Sequence, residues 1–144
     1  LTYKSDPDLY KKKDFWAPCG LTYQNRAGDC EDYAICAAAS LEKDVEEGYI
    51  IVLFDPVSKD TSDHAVFAYR LNNRWGINST GFLEYRAPHF TSLHEAVIDI
   101  NSVSTQSERY RQYSIYDYAG VDLVNGKDDL DGKMRRVGGH TLPP

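Results

Sequence analysis

Apolar and polar positions follow two different rhythms along this chain. Cys30, Ala34, Ala37, Leu41 and Val45 recur at helical spacing, which predicts one apolar stripe on a helix from Cys30 to about Glu46. Asp29 suits its N-cap, and Asp32 follows three residues later in the phase of a capping box. Glu31 and Asp32 in the first turn match the positive end of the helix dipole, and Gly48 is the expected stop. Cys30 is therefore expected in the first turn, on the inward face. Tyr49 to Phe54 is a continuous apolar run rich in β-branched residues and reads as a buried strand. Asp55-Pro56 opens a polar loop. His64 to Leu71 then reads as a strand, Asn72-Asn73 as a hairpin turn and Arg74 to Asn78 as the return strand. Ser92 to Glu95 repeats the capping pattern and starts a short helix to about Asp99. Tyr110, Tyr113, Tyr116 and Tyr118 crowd residues 105–118 with Arg109 and Arg111, and Thr141 to Pro144 reads as a loose terminus. A helix followed by strands predicts an α+β fold in which the Cys30 helix packs on an antiparallel sheet.

Length fits a single domain over residues 1–144, with its motifs in 14–79 and an extension of undefined role at about 105–144. Sixteen basic against 22 acidic residues leave a net charge of −6, which argues against a nucleic-acid partner. The Lys11-Lys12-Lys13 run reads as a solvated face. The longest apolar run is far too short to span a bilayer. The chain begins at Leu1 without an initiator methionine or a readable leader, as expected of a processed or excised chain, and the compartment stays open. Three cysteines are an odd number, so at least one thiol is left over from any disulfide framework. Cys36 sits among alanines and reads as structural; Cys19, in a Pro-Cys-Gly turn, is either exposed or bridged to Cys36. Lys127 to Gly132 imitates a calcium loop with Asp129, Asp131 and Gly132 in phase, but Lys127 and Gly138 stand where the first and last ligands belong. No metal and no cofactor is expected.

Cys30 is the thiol with chemistry available to it. A thiol attacks a carbonyl as thiolate, and a helix N-terminus or a nearby imidazolium lowers its pKa. His64 opens a strand at a sheet rim and is the expected partner. His89 and His94 flank the Ser92 cap and read as surface residues, and His140 lies in the tail. Asn78 is the expected third member, its side chain accepting the second ring N–H of His64; Asp99 and Glu84 stand behind it. Register decides this. A two-residue turn at Asn72-Asn73 sets Asn78 opposite Phe67, away from His64. A three-residue loop sets it opposite Val66, diagonal to His64 and within reach. The triad requires the latter, or a bulge.

Gly28-Asp29-Cys30-Glu31-Asp32-Tyr33-Ala34 resembles the nucleophile motif of the transglutaminase-like superfamily, in particular its bacterial cysteine-peptidase branch. Asp14-Phe15-Trp16-Ala17-Pro18 is similar to the Trp and Pro that precede that motif. Asp63-His64-Ala65-Val66 resembles the catalytic-histidine strand, and Trp75-Gly76-Ile77-Asn78 the strand carrying the third residue. The likeness runs from about Asp14 to Ser79. Two departures stand out: Asn78 replaces the usual aspartate, and Leu21 occupies the place of a glutamate found in some relatives. The resemblance implies a papain-like core and acyl transfer. Cys30 would attack a peptide or amide carbonyl, its backbone N–H would help hold the oxyanion, and His64 would carry the proton. Trp16 and Asp29 are candidate substrate-binding residues. A polypeptide is the implied substrate. A transglutaminase or glutamine deamidase, or a non-catalytic binder of proteins or peptides, are the alternatives; the oligomeric state is undefined.

Overall fold

The computed structural model describes residues 2–4, 15–57, 63–78, 85–103 and 110–144. Lys11 to Asp14, Ser79, Glu84 and Arg109 lie outside that set. The elements in chain order are β1 (Thr2–Tyr3), α1 (Cys19–Asn25), β2 (Ala27–Gly28), α2 (Cys30–Leu41), β3 (Glu47–Phe54), β4 (His64–Leu71), β5 (Arg74–Asn78), β6 (Arg86–Phe90), α3 (Leu93–Ser102), β7 (Gln112–Asp117) and β8 (Arg135–Thr141), with a short 3-10 turn at Asp131–Lys133. Strands β6-β5-β4-β3-β7-β8 form one six-stranded sheet, antiparallel at every pairing. The fold is α+β, as the order of elements predicts.

The sheet is covered on both faces, which explains the unbroken apolar run in β3. Pleat alternation sends Ile50, Val52, Ala65, Phe67 and Tyr69 toward α2, where they meet Cys30, Ala34, Ile35 and Ala38. It sends Ile51, Leu53, Val66, Ala68 and Ile77 toward α3, onto Ala96, Val97 and Ile100. Leu123, Leu130 and Met134 close the α2 side from the C-terminal segment.

Four expectations are corrected. The Cys30 helix ends at Leu41, not Glu46. Glu46 N–H already bonds Arg70 O, in line with the β3–β4 ladder. Gly48 is not a stop: it lies inside β3, where a Cβ would stand 2.8 Å from the Phe67 ring and 2.6 Å from Tyr118 Oη. Close approach, not chain termination, requires glycine there. The hairpin turn has two residues, because Asn72 (φ 53°) and Asn73 (φ 62°) both take the left-handed conformation, the geometry that matches strand twist. The C-terminal residues are not loose either. Leu142 is buried and its N–H bonds Arg111 O, while β8 completes the sheet beside β7.

Candidate active site

Cys30 is the first residue of α2, and Asp29 caps it: Asp29 Oδ1 accepts the Asp32 N–H at 3.4 Å and Asp32 Oδ2 accepts the Asp29 N–H at 3.2 Å. As a first-turn amide, the Cys30 N–H has no partner within the helix. Asp32 is fully buried and its Oδ1 also accepts the Ala17 N–H at 2.8 Å. One carboxylate thus fixes the helix start and ties the 15–18 segment to it. Gly28 permits this crossing, since a Cβ there would stand 2.9 Å from Asp32 Cβ.

A disulfide joins Cys19 to Cys36, with Cα atoms 4.9 Å apart, and locks α1 onto α2. The open alternative for Cys19 resolves to the bridge. Cys30 is the free cysteine.

The Cys30 sulfur lies against the start of β4. Its S–H donates to Glu31 Oε2 at 3.2 Å, Asp63 O stands at 3.9 Å, and the Ala65 N–H donates to the sulfur. It therefore touches the backbone on both sides of His64. Cys30 is 4% exposed, and its thiol pKa is pushed up rather than down. Burial is the largest cause, followed by the charge and hydrogen bond of Glu31, with Asp29 adding to the rise and the Ala65 N–H opposing it. The helix N-terminus does not prevail here, because two carboxylates of the same turn sit beside a sulfur deprived of water.

His64 is half-buried at the first position of β4, opposite Leu53 of β3. Its ring stacks on Tyr110, with centroids 6.4 Å apart and planes at 14°. Tyr110 packs against the α3-side cluster. The sulfur thus meets the start of β4 from the α2 side, while the His64 ring lies on the Tyr110 side of the strand. Asn78 pairs with Phe67. The two-residue turn gives it the register that the triad argument excluded, on the face shared by Phe67 and Cys30. Asp99, the fallback, is engaged by Arg86 Nε in an ion pair between α3 and β6.

Trp16 is buried in the α2-side core beside Cys30, edge-on to Tyr116 with centroids 5.3 Å apart. Its Nε1 has no hydrogen-bond partner among the described residues. The Asp29 carboxylate is committed to the cap. Neither residue presents an open surface. Glu31 and Tyr110 are the site neighbours that the sequence patterns miss. Glu31 reads as a dipole partner, and its contact with the sulfur depends on a side-chain rotation no pattern encodes. Tyr110 belongs to a tyrosine cluster far along the chain.

Among the described residues no group of three or more His, Cys, Asp or Glu side chains is arranged to hold a metal ion. No described helix is long and apolar enough to cross a membrane. No protein-family model matches the chain, and no curated protein matches it significantly.

Proposed function

We propose that this protein is a thiol-dependent acyl-transfer enzyme, a cysteine peptidase in which Cys30 is the nucleophile and His64 the proton acceptor. One observation carries the reading: the single free thiol occupies the first position of a capped helix, with its sulfur held against the backbone on either side of a histidine. The raised thiol pKa defines the form of the chemistry. The resting state is a protonated thiol, so His64 acts as general base during attack rather than as half of a standing ion pair. The thiol proton passes to His64, the sulfur bonds the carbonyl carbon, and the leaving amine takes that proton. Water then resolves the thioester. In this reading the Cys30 N–H serves as an oxyanion donor, a contribution of about 2.7–4 kcal/mol where such donors have been removed.

A second reading rests on the same burial. A thiol enclosed beside a carboxylate also fits a non-catalytic member of the fold that binds a protein or peptide.

Alkylation separates the two readings. With Cys19 and Cys36 bridged, iodoacetamide without reductant reads Cys30 alone. If His64 accepts the proton, His64→Ala slows labelling near neutral pH and lowers peptide hydrolysis by about 10²–10⁴. An unchanged labelling rate in His64→Ala rejects the enzyme reading. Asn78→Ala, assayed in parallel, keeps Asn78 in the site only if turnover falls while the fold is retained.

A further inference from the structure

We propose that His94 and His140 together hold a divalent late first-row metal ion, with Tyr113 as the residue that orients His94 for it. The site lies on the α3 face of the sheet and does not depend on the reading of Cys30.

Three elements meet there. Tyr113 of β7 and His140 of β8 are directly opposed cross-strand partners, so their side chains share a face of the sheet. His94 reaches the same place from the first turn of α3. The three rings form a triangle: centroids are 5.0 Å apart for His94 and His140, 5.7 Å for His94 and Tyr113, and 5.8 Å for Tyr113 and His140. All three residues line one cavity of about 480 Å³, whose other walls include Tyr49, Trp75 and Leu93. Sequence patterns miss this cluster because its members come from a helix and two strands that are far apart in the chain.

Neutral imidazole is a favoured ligand of zinc, nickel and copper. Zinc takes an imidazole nitrogen at ~2.0–2.1 Å, so two imidazoles on one tetrahedral ion have ring centres roughly 5 Å apart. The separation of His94 and His140 matches that spacing. His94 Nδ1 lies 2.8 Å from Tyr113 Oη. With Nδ1 protonated and donating to that oxygen, the lone pair falls on Nε2, the nitrogen offered to the metal. Metal-bound histidines are habitually held through their other ring N–H in this way. Tyr113 is buried and its hydroxyl is pushed up to about 12, so at neutral pH it orients the ring and is not itself a ligand. His140 is exposed, which lets its ring turn and lets an ion enter from solvent. The start of α3 opposes a cation through the helix dipole. Glu47 lines the same cavity with the opposite charge, but it is engaged by Tyr49 Oη and Arg70 and contributes no ligand. Two protein ligands leave positions for water, so the ion is exchangeable and links α3 to the edge strand β8.

The test is calorimetric titration of Zn²⁺ into the full chain near neutral pH, in a Cys30→Ser background so that the thiol cannot take the metal. Binding of one equivalent is expected. Tyr113→Phe is expected to weaken it about tenfold or more, and His94→Ala and His140→Ala by at least as much. His89→Ala removes a histidine outside the cavity and is expected to bind as the parent does. Because the ion binds the folded chain, Zn²⁺ should also raise the Tm of the parent and not that of His140→Ala. Three results overturn the inference: no binding tighter than about 1 mM in the parent, an affinity unchanged in either His94→Ala or His140→Ala, or an affinity unchanged in Tyr113→Phe. If His94→Ala does not fold, the histidine ring resonances of the parent carry the test. Zn²⁺ moving those of His94 and His140 together, with His89 in place, supports the site; any other pattern overturns it.

Discussion

Glu31 follows the proposed nucleophile in sequence and touches it in space. Its carboxylate accepts the Cys30 S–H at 3.2 Å within a buried pocket, and both its charge and its hydrogen bond raise the thiol pKa. The sign of a substitution follows. Glu31→Gln removes the negative charge and with it the repulsion of the thiolate, so the Cys30 pKa falls and the thiolate fraction near neutral pH grows. A close like charge commonly shifts a pKa by a unit or more, so labelling at pH 7.5 is expected to accelerate about tenfold. Iodoacetamide kinetics measure this directly. An unchanged or slower rate would mean that burial alone, and not Glu31, holds the proton on sulfur. The same residue shows why reading a helix start as an activating device is incomplete. The dipole acts on whatever charge is nearest, and here two side chains of the first turn compete with it at shorter range.

Helix α2 begins as its sequence predicts because its start is encoded locally. Asp29, Asp32 and the apolar spacing lie within one turn of each other, and the capping box forms as read. Asp32 also accepts the Ala17 N–H, which makes its carboxylate more than a cap. Asp32→Ala leaves two buried backbone donors unmet besides weakening the helix start, and a loss of about 2–4 kcal/mol of unfolding free energy is expected. Urea unfolding measures it, and a loss under about 1 kcal/mol would show that the 15–18 segment is held by other contacts. Strands β3 to β5 are legible for a similar reason, since their apolar runs and the Asn72-Asn73 turn are contiguous in sequence. The illegible elements depend on distant partners. Gly48 reads as a helix stop because nothing nearby discloses that the Phe67 ring lies over it. Strands β7 and β8 hide in a tyrosine cluster and a glycine-rich tail, and a register shift between Ile115 and Tyr116 breaks their alternation. The site divides along the same line. Cys30 and His64 are visible as motif residues, whereas the stack on Tyr110 exists only once β7 lies beside β3.

At the scale of the whole molecule, the sheet separates two layers that the C-terminal segment helps to close on both sides: Leu123, Leu130 and Met134 on the α2 face, Tyr113 and Leu142 on the α3 face. Residues 110–144 are thus part of the core rather than an appendage to the motif-bearing part. The tyrosines bound into this arrangement give it a pH signature. Burial pushes Tyr69, Tyr113 and Tyr118 up to about 12, and a hydrogen bond to Glu47 does the same for Tyr49. The unfolded chain releases these protons near pH ~10, before the folded one does. Their contribution to stability is therefore complete below about pH 10 and is lost as pH rises toward 12. Cys30, also raised, adds a limb of the same sign that begins earlier, near the ordinary thiol value of ~8.5. The urea midpoint followed by circular dichroism is expected to fall from about pH 8.5 and more steeply above 10. Cys30→Ser should remove only the first part. Because the four tyrosines lie across both faces of the sheet, the decline should appear as one cooperative transition at every pH, with far-ultraviolet and tyrosine signals coinciding. A midpoint that stays flat to pH 11 would mean that these hydroxyls ionise as readily in the folded chain as in the unfolded one.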